Sequence, residues 1–177
     1  MRQDEDPPSE PSEEDFTIVR EIYDSDESQE RFAEELERAL EASRSIIIIE
    51  PYKLGEETAR WIQFGNFLHK ASVLSGAACL STPLLTNTLS VVYLPCGVTS
   101  VFCALFYGLS WAGDPCCKYQ IDYEGHALAR IPAQRLGSGS PLVLVRKDDV
   151  HRKRLHNVIA LASAVYCGWQ VYCWLRS

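Results

Sequence analysis

A chain of 177 residues, 46% hydrophobic and 23% charged, makes one domain or a domain with an extension, and its net charge of −7 hides a segregated layout. Residues 1–50 carry 17 acidic side chains against five Arg, whereas residues 51–177 carry seven acidic against 12 basic, so the distribution says more about partners than the total does. The opening run (MRQDEDPPSEPSEED) has the character of neither a transit peptide nor a secretory signal, and the seven Cys, without a C-x-x-C, give no disulfide framework.

Residues 1–15 combine acid, Pro and Ser with no large apolar side chain after Met1, which predicts a disordered acidic tail. Residues 16–55 read as a soluble β-α-β segment. Phe16–Tyr23 (FTIVREIY) is rich in β-branched and aromatic residues and predicts a strand. Asp26 and Gln29 stand in capping-box spacing before a helix whose apolar stripe is Phe32, Leu36, Ala39 and Leu40, ending near Ser43. Ile46–Ile49, before Pro51, is a short strand buried on both faces. Residues 56–65 form a helical lead-in, and the helical pattern of Glu56–Lys70 runs on without a stop signal.

No charged residue occurs from Ala71 to Gly113. A single helix of that length would reach about 65 Å, roughly twice the hydrocarbon core of a bilayer, so two helices are expected. Ser81, Thr82, Pro83, Thr86, Asn87, Thr88 and Ser90 cluster where the first would end and the second begin. Residues 66–111 therefore predict a transmembrane hairpin, with helices near Asn66–Leu85 and Leu89–Trp111. His69 and Lys70 snorkel at its entry, Pro95 either opens or kinks the second helix, and Tyr93, Tyr107 and Trp111 suit interfacial depth. The competing reading, a core hairpin of a soluble protein, would have to leave the outward faces of both helices without a charge.

Residues 112–147 predict a soluble β-containing segment: a strand at Lys118–Tyr123, an ambiguous stretch broken at Pro132, a Gly137–Ser140 loop and a strand at Leu142–Val145. Residues 148–177 hold a basic juxtamembrane run and a C-terminal apolar helix, uncharged from Asn157 to Leu175. Trp169, Tyr172 and Trp174 would anchor it as a third span, while Gly168 and Gln170 favour a helix packed on the hairpin or lying in the interface. The fold class is thus a membrane α-helical hairpin, of two transmembrane helices or three, with a small α+β soluble portion. Lys53, Arg60 and Lys70 before the hairpin and Lys118 and Arg130 after it place both soluble segments in one compartment.

Arg146, Lys147, Arg152, Lys153 and Arg154 lie at the mouth of the last helix, where they either attract anionic lipid, at about 1 kcal/mol per basic residue, or simply fix topology. A nuclear-localisation role fits poorly beside apolar segments, so no nucleic-acid partner is expected. His151 and His156 are off the spacing that shares a helix face, and no metal is expected of them. The sequence has no phosphate loop, no G-x-S-x-G and no carboxylate inside the apolar segments, so neither a catalytic residue nor a cofactor is expected. Small residues recur four apart at Ser72 and Gly76, at Ala104 and Gly108, and at Ala160, Ala164 and Gly168, a pattern for helix packing or homo-oligomerisation. Adjacent Cys116 and Cys117 suit acylation, redox chemistry or packing. Phe16 and Val19 behind Glu13, Glu14 and Asp15 form an acidic-flanked aromatic-x-x-aliphatic motif, which gives the alternative function of an adaptor recruiting soluble autophagy or scaffold factors.

The order of motifs resembles the transmembrane protein 11 family of mitochondrial morphology proteins. The resemblance is carried by Glu21-Ile22-Tyr23, Glu34–Ala42 (EELERALEA), Ile49-Glu50-Pro51, Glu57–Trp61 (ETARW) with Gly65-Asn66 and Leu68-His69-Lys70, Tyr107-Gly108, Ser110-Trp111, Asp114–Gln120 (DPCCKYQ), Val143–Asn157 (VLVRKDDVHRKRLHN) and Ile159–Ala162. It covers about Phe16–Tyr172. It implies a multi-pass mitochondrial protein, usually of the inner membrane with the outer membrane as alternative, that helps set mitochondrial shape and cristae organisation alongside cristae-junction scaffold proteins. The family has no known catalytic residues. The expectation is a non-enzymatic membrane scaffold whose partners are mitochondrial membrane lipids, cardiolipin among them, cristae-junction scaffold proteins and further copies of itself.

Overall fold

The computed structural model of the chain describes residues 16–20, 28–50, 52–85, 90–137 and 140–176. The expected acidic tail, the capping residue Asp26 and the turn at residues 86–89 lie outside these. The chain divides into two compact units, Met1–Ala59 with Tyr119–Lys147 and Arg60–Lys118 with Asp148–Ser177.

The first unit is built on a four-stranded sheet of order β1-β2-β4-β3, from β1 (Phe16–Arg20), β2 (Ile46–Glu50), β3 (Tyr119–Ile121) and β4 (Leu142–Arg146). β1 and β2 are parallel, joined through α1 (Ser28–Glu41) as the βαβ reading requires, and β4 runs antiparallel to both β2 and β3. The central strand β2 is buried along its whole length, as a run of four Ile between two neighbours should be. Ile46 and Ile48 pack with Ala127, Ile131 and Val143 on one face. The alternation of a strand sends Ile47 and Ile49 to the other, with Val19 in register beside Ile49. A crossover helix must cover one face, and α1 accordingly buries Leu36, Ala39 and Leu40. The helix closes at Ser43, whose φ of +53° takes the left-handed position usual past a helix end. Pro132 breaks the ambiguous stretch into two single 3₁₀ turns, Leu128–Arg130 and Ala133–Arg135. Glu50 ties the sheet edge to this region, accepting from Arg20 Nε at 2.9 Å and from Gly137 N–H at 2.9 Å.

The second unit is helical. α2 (Glu56–Leu85) enters from the first unit without a break, α3 (Ser90–Phe106) follows, and α4 (Val150–Arg176) comes last. Pro95 lies inside α3, so it costs the helix one internal hydrogen bond and does not open it. α3 ends in a widened π turn, Tyr107–Trp111, closed by Ala112 N–H to the Tyr107 carbonyl at 2.9 Å, with Tyr107 and Trp111 both buried.

α2 and α4 run parallel in steady register. Asn66 meets Arg152, His69 meets His156, Gly76 meets Ser163 and Cys79 meets Cys167, at sequence separations of 86, 87, 87 and 88 residues. Positions 69, 72, 76 and 79 of α2 fall at alternating steps of three and four, the spacing of a coiled-coil seam. Small residues make the seam close. A Cβ on Gly76 would overlap Ile159 and lie 2.6 Å from Ser100 Oγ, so backbone and side chains of three helices meet there. Ser72 and Ser100 donate reciprocally to each other's carbonyl at 2.9 and 2.8 Å, which satisfies two fully buried hydroxyls.

Among the described residues, the helices long and apolar enough to cross a membrane are Val92–Trp111 and Val150–Arg176. The pair differs from the expected first span, Asn66–Leu85. α2 carries Arg60, His69 and Lys70 in its first half, which leaves Ala71–Leu85 as the uncharged part. In a soluble core such helices would be mostly buried, yet only 28% and 11% of their apolar windows are. Leu109 is 85% exposed, Leu161 68% and Trp174 75%, an outward apolar surface suited to lipid. Gln170 finds a partner within α4, its amide N–H donating to Tyr166 Oη at 3.0 Å.

Candidate functional site

The polar end of the helical unit gathers side chains that the sequence spreads over ninety positions. α2 presents Trp61, Asn66 and His69 on successive turns, the π turn and the residues behind it supply Tyr107, Trp111, Asp114, Cys116 and Cys117, and the start of α4 brings Asp149, Arg152, Lys153 and His156. Trp61 donates its indole N–H to Asp114 Oδ2 at 2.7 Å, while Asp114 Oδ1 accepts from Cys116 N–H at 2.8 Å. The Trp61 ring meets Trp111 edge-on at 5.0 Å, and Trp111 covers Gly65 so closely that any Cβ there would overlap the indole. Arg152 donates to Asn66 Oδ1. Lys153 pairs with Asp149 at 2.6 Å and approaches Cys117 Sγ at 3.7 Å.

At the centre, His69 and His156 face each other through their Nδ1 atoms at 3.1 Å, so one ring donates while the other accepts. His156 is 1% exposed and stands edge-on to Tyr107 at 4.7 Å. The buried Tyr107 hydroxyl has no hydrogen-bond partner among the described residues. Both vicinal thiols are buried as well. Burial, then the neighbouring Asp114 carboxylate, pushes the Cys116 thiol up to about 12, and burial with Asp149 raises Cys117 against the opposing charge of Lys153. Both effects favour the thiol form, which suits packing.

These residues belong to the runs ETARW, GN, LHK, YG, SW, DPCCKYQ and DDVHRKRLHN. Residues 15–172 match a family described as mitochondrial morphogenesis regulator. The chain belongs to the mitochondrial morphogenesis regulator family. It is 56% identical over 157 residues to transmembrane protein 11-B, mitochondrial, of Xenopus laevis, a match covering 88% of this chain and 84% of that one. It is 55% identical over 160 residues to transmembrane protein 11, mitochondrial, of Danio rerio (88% and 84% covered) and 54% identical over 160 residues to that of Homo sapiens (89% and 83%). No solved structure matches the chain.

In this family member the basic run divides. Arg152 and Lys153 are half-buried and turn to Asn66 and Asp149, whereas Lys147, His151 and Arg154 are exposed. Arg146 is exposed too and donates to the Ser43 carbonyl at 3.1 Å. The Arg146–Lys147 end lines a concavity of about 650 Å³ in the sheet unit, with Gln120, Asp122, Glu124 and His126. The small residues divide likewise. Ser72, Gly76, Ala104 and Ala160 are packed inside, while Gly108, Ala164 and Gly168 face outward, with open space above both glycines. Sequence reasoning missed the pairs Trp61–Asp114, Asn66–Arg152 and His69–His156.

Proposed function

We propose that this family member is a non-enzymatic, multi-pass protein of the mitochondrial inner membrane that helps set mitochondrial shape and cristae organisation as a membrane scaffold. The observation that carries the reading is the polar junction: the most specific runs of the sequence are spent on tying α2, α4 and the end of α3 together at the base of apolar helices. Such an anchor suits a rigid inserted body on which partners assemble. In this reading α2 and α3 form a membrane hairpin, whose first arm is short but protein-backed, and α4 adds a third span parallel to α2. The exposed Arg146, Lys147 and Arg154 meet anionic head groups such as those of cardiolipin, and cristae-junction scaffold proteins dock on the assembled body.

The adaptor reading gains no support from the first strand. Phe16 and Val19 already pair with β2, and Val19 is 1% exposed, so strand addition through them would dismantle the sheet edge.

A scaffold acts in stoichiometric amounts and a catalyst does not. In cells depleted of the endogenous protein, re-expression over a graded range should restore cristae-junction spacing, seen by electron tomography, in proportion to protein abundance. Complete restoration at trace abundance would overturn the scaffold reading.

A further inference from the structure

We propose that Cys79 of α2 and Cys167 of α4 form a reversible disulfide that staples the parallel seam at the end remote from the polar junction. The two sulfurs lie 3.6 Å apart although 88 residues separate them in sequence. A disulfide needs about 2.05 Å between sulfurs, a closure within reach of side-chain rotation on two adjacent helices. The site is built around a missing side chain. A Cβ on Gly97 of α3 would overlap Cys167 Sγ and stand 3.1 Å from Cys79 Sγ, so the glycine opens the space in which the sulfurs meet. Cys79 is fully buried and Cys167 half-buried, which makes Cys167 the entry point for an oxidant.

The oxidant is a small disulfide, R–S–S–R. The Cys167 thiol loses its proton and its sulfur attacks one sulfur of the oxidant, breaking that S–S bond and releasing R–S⁻ to take up the proton. The Cys79 sulfur, deprotonated in turn, attacks Cys167 Sγ in the mixed disulfide and releases the second R–SH. Two protein thiols are oxidised and one external disulfide is reduced to two thiols. The product fixes α2 and α4 about 15 Å along the seam from the His69–His156 contact, so the two helices can neither slide nor part.

The test treats full-length protein in liposomes with dithiodipyridine, blocks remaining thiols with N-ethylmaleimide, and maps linked peptides by mass spectrometry with and without dithiothreitol. A Cys79–Cys167 linked peptide that dithiothreitol releases is expected in the wild type and in C96S, which removes the neighbouring thiol. Its yield should fall severalfold in G97A, where the added methyl group occupies the sulfur space. Cys79 linked to Cys96, both cysteines recovered as separate pyridyl adducts, or an undiminished yield in G97A would overturn the proposal.

Discussion

Gly65 and Trp111 show how a single absent side chain sets the polar junction. The indole lies where a Cβ would be, so Gly65→Val must push Trp111 off α2 and break its edge contact with Trp61. Overpacking of this kind costs about 1–3 kcal/mol, and chemical denaturation in detergent should show it together with a red shift of tryptophan emission. An unchanged midpoint would mean that Trp111 is free to move. Cys116 is the other residue with a clear expectation. A thiol raised from 9.0 to about 12 is almost wholly protonated at neutral pH, so maleimide labelling of Cys116 in the folded protein should be far slower than in the same protein unfolded in denaturant. Asp114→Asn removes the second cause of the shift and should speed labelling, though burial keeps it slow. The linkage has a definite sign: between pH 9 and about 12 the unfolded chain releases this proton and the folded chain does not, so Cys116 lowers stability as pH rises through that window and has no effect below it. Rapid labelling at neutral pH would contradict the packed-thiol account.

The elements were unequally legible. The βαβ start, the buried Ile strand and the uninterrupted entry of α2 were readable because strand and helix periods differ and the chain keeps to each. The assignment of spans was less so. The expected first span was Asn66–Leu85, but α2 uses its polar half to bind α4 and only Ala71–Leu85 is free of charge, whereas α4, with a Gly and a Gln inside it, is the more outward-facing apolar helix. The small residues were recognised, yet spacing could not say which of them faced a helix and which faced outward. The parallel seam allows a quantitative contrast. Gly76→Leu inserts a side chain into Ile159 and Ser100 and should cost roughly 1–3 kcal/mol or prevent assembly, whereas Ser72→Ala should cost only about 0.6 kcal/mol, since its carbonyl partners stay bonded within their helices. Denaturation of both variants in one detergent checks the order, and equal losses would show that the seam is not close-packed.

For the whole molecule, the acidic and basic halves seen in composition become a division of labour within the basic run. Its inward members serve the junction and its outward members face the surroundings. Charge counting could not separate the two, because the inward partners, Asn66 and Asp149, are supplied by the fold. Neutralising Lys147 and Arg154 together should weaken binding to anionic liposomes about 30-fold, at roughly 1 kcal/mol per charge, and leave binding to neutral liposomes unchanged. Arg152→Ala should instead lower stability and alter lipid binding little. If the two variants exchange these effects, the inward and outward assignments are reversed.

The account as a whole stands on how the chain crosses the membrane. Protease protection of two tags, one at the N-terminus and one between Gly137 and Ser140, in intact mitochondria, in mitochondria with ruptured outer membranes and after detergent, tests it most directly. The inner-membrane scaffold with both soluble segments on the positive side predicts that both tags survive in the first two conditions and are cut together only in detergent. Loss of both tags in intact mitochondria, or loss of one tag without the other after rupture, would contradict it.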